Sequence, residues 1–590
     1  MSDAGTTGPL PRWSLESIYP GFESRERARD IAELEETLTG LENETSAVGM
    51  LRPLERCLDL AETLKTHAYV CYSTDTTNSR ILEELNRLER FDVSLHRVRV
   101  RFRAHLAAGE TPPTEELGPY GYVLSEERRL GGLQLPLEME ELAADLARSG
   151  AELWSRLQDS IGATLSTEWH PPRGSVDGAP ERKTVVQLRS LAHHPDRSVR
   201  RKAFEEELSL WRQMEIPLSH AINGVKGVAV VMDSRRGFKD SLDRAVIESR
   251  MSQDSFRGLI GACEDALPTF HRYLRTKARA LGQQKLAFFD IFAPIDGTGP
   301  AAESFRFSFD EAKRFICGEF SAFSPELGGF AEAAFDRRWI DAEPRSGKVG
   351  GAYCVSFPTV GESRILCNFD GSISGVSTLA HELGHAYHQE LLKETPALLR
   401  QYPMPLAETA SIFCENLVYR ALMRELPEAQ RLTALEAFLQ DATQVIVDIL
   451  SRFRFERELF RRRADHEVSP GDLCSLMSRY QQETYGDALD SAFLHPYMWA
   501  VKGHYYDHNL SFYNFPYAFG LLFSLALLEE YDTGRPGFPI RYRGVLERTG
   551  AASVDDVVRS AGLEPTQGAF RRRGLGVLET YVAQFEEQVR

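Results

Sequence analysis

STLAHELGHAYHQE, Ser377–Glu390, places three histidines and two glutamates in one short stretch of a 590-residue chain that has only 15 histidines. Its flanking residues Val376, Leu379 and Ala380 are apolar, which suits a helix buried inside a domain. On a helix, His381 and His385 are four residues apart and project from one face a turn apart. Their ring nitrogens can then meet one zinc ion. Glu382 is turned about 100° from His381, beside the ion without binding it, where it can act as a general base on water. Gly384 is small enough to let a neighbouring strand approach closely. The competing reading is a chance match on an ordinary amphipathic helix.

A catalytic zinc needs a third protein ligand and one open position. Residues 388 and 391 are His and Leu, where the metzincin pattern needs Gly and His, so that pattern is excluded. Glu390 lies nine residues past His381 and faces the opposite side. The third ligand is therefore expected from another helix. After Tyr402, Pro403 and Pro405 comes LAETASIFCENLVYRALM, a helical run in which Glu408 and Glu415 are seven apart and share a face. One would bind the metal and the other would hold a ligand histidine by hydrogen bond. The bland alternative is a pair of solvated glutamates. His388 lies near the His385 face, as an outer support of the ligands, a substrate contact or a structural histidine.

Working outward, GKVGGAYCVSFPTVGESRILCNFDG, Gly347–Gly371, alternates and is rich in β-branched and aromatic residues, with turn chemistry from Pro358 to Glu362. A small sheet is expected there, beside the metal helix. Helices are expected to dominate from Ser377 onward, between about Ala28 and Ala108, from about Leu135 to Ser160, and from about His194 to Gly282. In the first of these, Leu82, Leu85, Leu88 and Phe91 carry the period. Pro112 and Pro113 break it. TLSTEWHPPRG and KTVVQLRSL read as extended and turn-rich, with Pro171, Pro172 and Gly174 as punctuation. The segment from Leu286 to Pro300 reads as apolar and broken. The expected division is an N-terminal helical lobe, 1–190, followed by a catalytic domain, 191–590.

Length argues for two or more lobes. The net charge of −17 is poorly suited to a phosphate backbone, so nucleic acid is not an expected partner. No stretch approaches 18 uninterrupted apolar residues, which argues against a membrane span. The polar N-terminus lacks a basic region followed by an apolar one. Eight scattered cysteines without a CxxC pair read as free thiols of a cytoplasmic protein.

A second cluster lies in GHYYDHNLSFYNFPYAFG, Gly503–Gly520, which gathers His504, His508, Tyr505, Tyr506, Tyr513 and Tyr517. Hydrolysis by a zinc-bound water produces an oxyanion, which phenol and imidazole donors can stabilise. For any single tyrosine, core packing is the bland alternative. As a group they carry more polar atoms than an apolar core accommodates easily.

Together these blocks resemble the M3 family of zinc oligopeptidases, and within it the oligoendopeptidase F branch. The resemblance is carried by RILCNFDGSISGVSTLAHELGHAYHQ, PLAETASIFCENL, GGAYCVSF, HYYDHNLSFYNFPYAFG and the opening RWSLESIYPGFES. It implies a mainly α, two-lobed helical shell around a deep substrate channel, with a small β-sheet beside the HExxH helix. It implies one Zn²⁺ held by His381, His385 and Glu408, with Glu382 as base and Glu415 and His388 behind the ligands. His504, Tyr513 and Tyr517 would complete the site. Gly350, Gly351, Ala352 and Tyr353 would pair with a bound peptide by strand addition, and Tyr506 would touch it. The segment departs from the branch at Asn514 and Pro516, and which donor meets the oxyanion is left open. The implied activity is endopeptidase cleavage of short unstructured oligopeptides. An exopeptidase, or a silent peptide-binding protein with the same shell, is the alternative.

Overall fold

A computed structural model of the chain describes residues 9–109, 118–172, 180–295, 306–566 and 569–589. Pro112, Pro113, Gly174 and Pro300, which figure in the expected breaks, lie outside them. Among the described residues the fold is mainly α, with two small sheets. The chain divides into two compact units, each built from three separate segments.

The first unit comprises 1–137, 305–425 and 524–563. It opens with helices Arg25–Asn43 and Ala47–Thr74, whose first turns are capped by Ser24 and Ser46. Helices Ser79–Leu88 and Arg90–Ala107 follow. The period of Leu82, Leu85, Leu88 and Phe91 runs across both: Leu88 and Phe91 enter the core, while Leu82 is exposed. The core joins Leu34, Leu54, Leu64 and Phe102 to Phe357 and Leu366 of the sheet. That sheet is three-stranded. Glu362–Leu366 is central, antiparallel to Tyr353–Phe357 and parallel to Ile340–Asp341. Tyr353–Phe357 is thus an edge strand. Of the residues Gly350, Gly351, Ala352 and Tyr353 expected to pair with a peptide, only Tyr353 lies in the strand. Gly351 has φ +79°, a left-handed conformation that ends extended pairing, and Asn368 Nδ2 donates to both Val349 O and Gly351 O.

Helix Ile373–Leu392 carries the HExxH residues. Ser372 caps it by accepting from Gly375 N at 2.9 Å. One side packs on the sheet and another on helix Thr409–Glu425. A Cβ at Gly384 would lie 2.6 Å from Ala410 O and 2.7 Å from Ser411 Cα. Glycine is therefore what lets these two helices touch backbone to backbone. The close neighbour is a helix, not the strand the sequence suggested.

The second unit comprises 138–304, 426–523 and 564–590. Helix Leu137–Ser149 and helix Ala151–Thr164 meet at Gly150. Ser166–Trp169 pairs antiparallel with Glu181–Thr184. KTVVQLRSL is not wholly extended: Thr184 and Gln187 form a capping box that starts helix Val185–Ser190. Helices Arg197–Gln213, Glu215–Arg235, Ser241–Glu248 and Gln253–Ala280 follow. The core includes Trp211, Phe455, Trp499, Tyr505 and Tyr506. The compact units do not divide at residue 190, because residues 1–137 build their core with segments that lie beyond residue 304 in the sequence.

Candidate metal centre

His381, His385 and Glu408 each offer one ligand atom, and the three atoms lie within 4.8 Å of one another. His381 Nε2 is 3.3 Å and His385 Nε2 3.5 Å from the same Glu408 oxygen, Oε2. The histidines come from successive turns of one helix, as their spacing requires. Glu408 arrives differently from the sequence expectation. It does not share a continuous helix with Glu415. It follows the short turn Met404–Ala407 and stands just before helix Thr409–Glu425, with Ile412 N donating to its carbonyl. Ser524 Oγ also donates to that carbonyl, at 3.2 Å. The Gly384 contact brings this helix entrance against the histidine helix.

Glu415 meets the other nitrogen of the same imidazole: His381 Nδ1 is 3.0 Å from Glu415 Oε2. Two serines that sequence reasoning missed secure the carboxylates. Ser411 Oγ donates to Glu408 Oε2 at 2.6 Å, and Ser377 Oγ to Glu415 Oε1 at 3.2 Å. Their signal was spacing, since Ser411 is three residues after Glu408 and Ser377 four before His381.

Electrostatics at this cluster favour a cation. Burial raises the Glu408 carboxyl, but hydrogen bonding from His381 and the charge of His385 outweigh it and hold it at about 2. Burial lowers His381, yet Glu408 and Glu415 push it well above the ordinary range. His385 is lowered to about 4, chiefly by burial. Glu382 is 6% exposed, and burial lifts its carboxyl to about 7 against the pull of His381. Among the described residues, no Lys or Arg pairs with Glu382, Glu408 or Glu415. Two imidazoles and a carboxylate converging amid three glutamates without a cationic side chain fit a divalent metal ion.

The remaining predicted residues are placed as follows. His388 is fully buried, 2.8 Å from Thr549 Oγ1 and stacked on Tyr402. Burial drives it down to about 3, so it sits there as a neutral packed ring. Gly350 and Gly351 are exposed and lead into the edge strand. Tyr353 is half-buried, and its hydroxyl is hydrogen-bonded with Ser73. In the second unit, His504 Nε2 lies 2.8 Å from Asn514 Nδ2, and the Tyr513 and Tyr517 hydroxyls are 2.6 Å apart. His504, Tyr513 and Tyr517 are partly exposed. Tyr506 is not: the turn Gly503–Tyr506 drives Tyr505 and Tyr506 wholly into the core, so the expected substrate contact by Tyr506 is corrected to core packing.

Residues 190–576 match the family model described as Peptidase family M3, and residues 113–166 match one described as Oligopeptidase F. The chain belongs to peptidase family M3. An oligoendopeptidase F homolog from Lactococcus lactis is 26% identical over 404 residues, which is 68% of this chain and 66% of that protein. The chain thus spans just under two thirds of that relative. Oligopeptidase PepF from Bacillus subtilis is 22% identical over 77% of this chain and 66% of its own length. The crystal structure of oligoendopeptidase-F from Enterococcus faecium shares the fold, with a TM-score of 0.69, 18% identity, and coverage of 96% of this chain and 99% of that one.

Proposed function

We propose that this M3-family protein is a zinc-dependent endopeptidase that hydrolyses internal bonds of short, unstructured oligopeptides. The observation that carries the reading is the convergence of His381, His385 and Glu408 beside Glu382, a buried carboxyl raised toward neutrality. The two-imidazole, one-carboxylate donor set is that of catalytic zinc sites. His381, His385 and Glu408 would hold the ion, which when bound supplies Lewis-acid activation of water and carbonyl. Glu415 fixes the His381 ring through Nδ1, and Ser411 and Ser377 fix the carboxylates. Glu382 accepts a proton from the attacking water and delivers it to the leaving amine. Tyr513, Tyr517 and His504 are the proposed donors to the developing oxyanion; the partial exposure of these residues supports this. Among the described residues Tyr353–Phe357 is the edge strand of its sheet, which supports backbone pairing with an extended peptide there.

A cytoplasmic setting belongs to the same proposal. All eight cysteines are free, and no described helix is long and apolar enough to cross a membrane. The testing experiment is product mapping by mass spectrometry on a pool of unstructured peptides, with and without a chelator. Internal cuts that vanish with chelator are expected. Trimming confined to the termini would mean an exopeptidase. Binding without cleavage would mean a silent peptide-binding protein.

A further inference from the structure

The second unit encloses a cavity of about 310 Å³ that the peptidase reading does not use. This lies at the lower end of the size range of small-ligand sites. Its rim is exposed at Val186, Ser190 and His193, and its floor is buried at Leu188, Phe204 and Met498. One wall is aromatic: Phe204 contacts both Phe288 and Phe289, and Phe292 lies against His193.

Four cationic side chains, Arg189, Arg200, Arg452 and Lys502, also line the cavity, and three of them are matched. Arg189 pairs with Glu207, which also faces His495 at 3.2 Å. Arg200 pairs with Asp290 at 2.9 Å, and Arg452 pairs with Asp448. Lys502 is the exception. Among the described residues its amine has neither an ion-pair nor a hydrogen-bond partner, yet it lines the cavity. Burial and, after it, the charge of Arg452 push this amine down to about 7. Lys502 is only partly exposed, and an ammonium beside an apolar cavity lining without a counter-ion gains from an anion of the right shape. One unmatched charge calls for one negative charge. The aromatic lining calls for an apolar body attached to it.

We infer that this cavity binds a monocarboxylate on an aromatic or bulky apolar body of about amino-acid size, with Lys502 as the carboxylate partner and Phe204, Phe288 and Phe292 around the body. The inference does not depend on the peptidase reading. Two sources share this chemistry, a free aryl acid and the C-terminal residue of a short peptide.

Calorimetric titration with 3-phenylpropionate, N-acetyl-Ala-Phe and N-acetyl-Ala-Phe amide tests it on the full-length, metal-loaded protein. Saturable binding of at least one acid is expected. The amide should bind at least about tenfold more weakly than its acid. Lys502→Met should lose the acid by a similar factor while melting close to the wild-type temperature, because the amine removed is partly exposed and has no partner among the described residues. If Lys502→Met fails to fold, Lys502→Gln is read instead. Binding of 3-phenylpropionate alone assigns the free acid, and binding of N-acetyl-Ala-Phe assigns the peptide terminus. The inference is overturned if neither acid saturates, if acid and amide bind alike, or if the Lys502 variant keeps wild-type affinity. The last result would also be seen if the carboxylate sat instead at the His381, His385 and Glu408 cluster.

Discussion

His381 and Glu415 are joined at 3.0 Å through Nδ1 of the imidazole, while Nε2 of the same ring lies 3.3 Å from Glu408. One ring is thereby held between two carboxylates, and its tautomer and direction are set from behind. Glu415→Gln should weaken metal binding by about 10–100-fold without removing a ligand. Competition against a chelator of known affinity measures this. Wild-type affinity in the variant would strip Glu415 of its orienting role.

Gly384 should be the least tolerant small residue of the histidine helix. An alanine there places Cβ 2.6 Å from Ala410 O, backbone that cannot swing away. Gly384→Ala is expected to cost about 1–3 kcal/mol and to lower metal affinity, because the entrance of the Glu408 helix must retreat. Thermal melts and metal titration read the two effects. An unchanged melt together with unchanged affinity would show that the helix contact does not set the site.

Tyr513→Phe should lower kcat by about 10²–10³ with little change in KM, if its hydroxyl acts on the developing oxyanion. Its hydroxyl shares a 2.6 Å hydrogen bond with Tyr517, so the double variant should lose less than the product of the two single losses. A raised KM with unchanged kcat would move Tyr513 to ordinary substrate binding.

Acid stability offers a test away from the metal centre. Glu127 is buried between Arg99 and Arg103. Burial raises its carboxyl, but the two guanidiniums outweigh this and hold it at about 2 instead of 4.5. A lowered carboxyl stabilises the fold fully above its ordinary value and loses that contribution as pH falls through the folded one. Glu127→Gln should therefore cost stability at neutral pH. The gap from wild type in urea unfolding should narrow steadily between pH 4.5 and about 2. A gap independent of pH over that window would contradict the assignment.

The helical spacing of His381, Glu382 and His385 was legible because it depends only on residue separations within one helix. Glu415 behind His381 was legible as one of two candidates. That Glu408 stands outside the helix was not, because the break after Pro405 is decided by packing at Gly384 and by the Ser524 contact, which join distant segments. His388 illustrates the same limit: its partners Thr549 and Tyr402 lie 161 and 14 residues away. Tyr506 looked like its neighbours in sequence, and only the turn beginning at Gly503 separates it from His504. The interleaving of the two units depends on pairings between segments far apart in the sequence, which spacing within one segment does not carry.

The most direct test pairs metal content with peptide turnover in Glu382→Gln. The account predicts wild-type metal stoichiometry, with zinc as the ion found, and turnover reduced at least about 100-fold. Turnover within a few-fold of wild type, with the metal retained, would contradict Glu382 as the base and with it the proposed reaction.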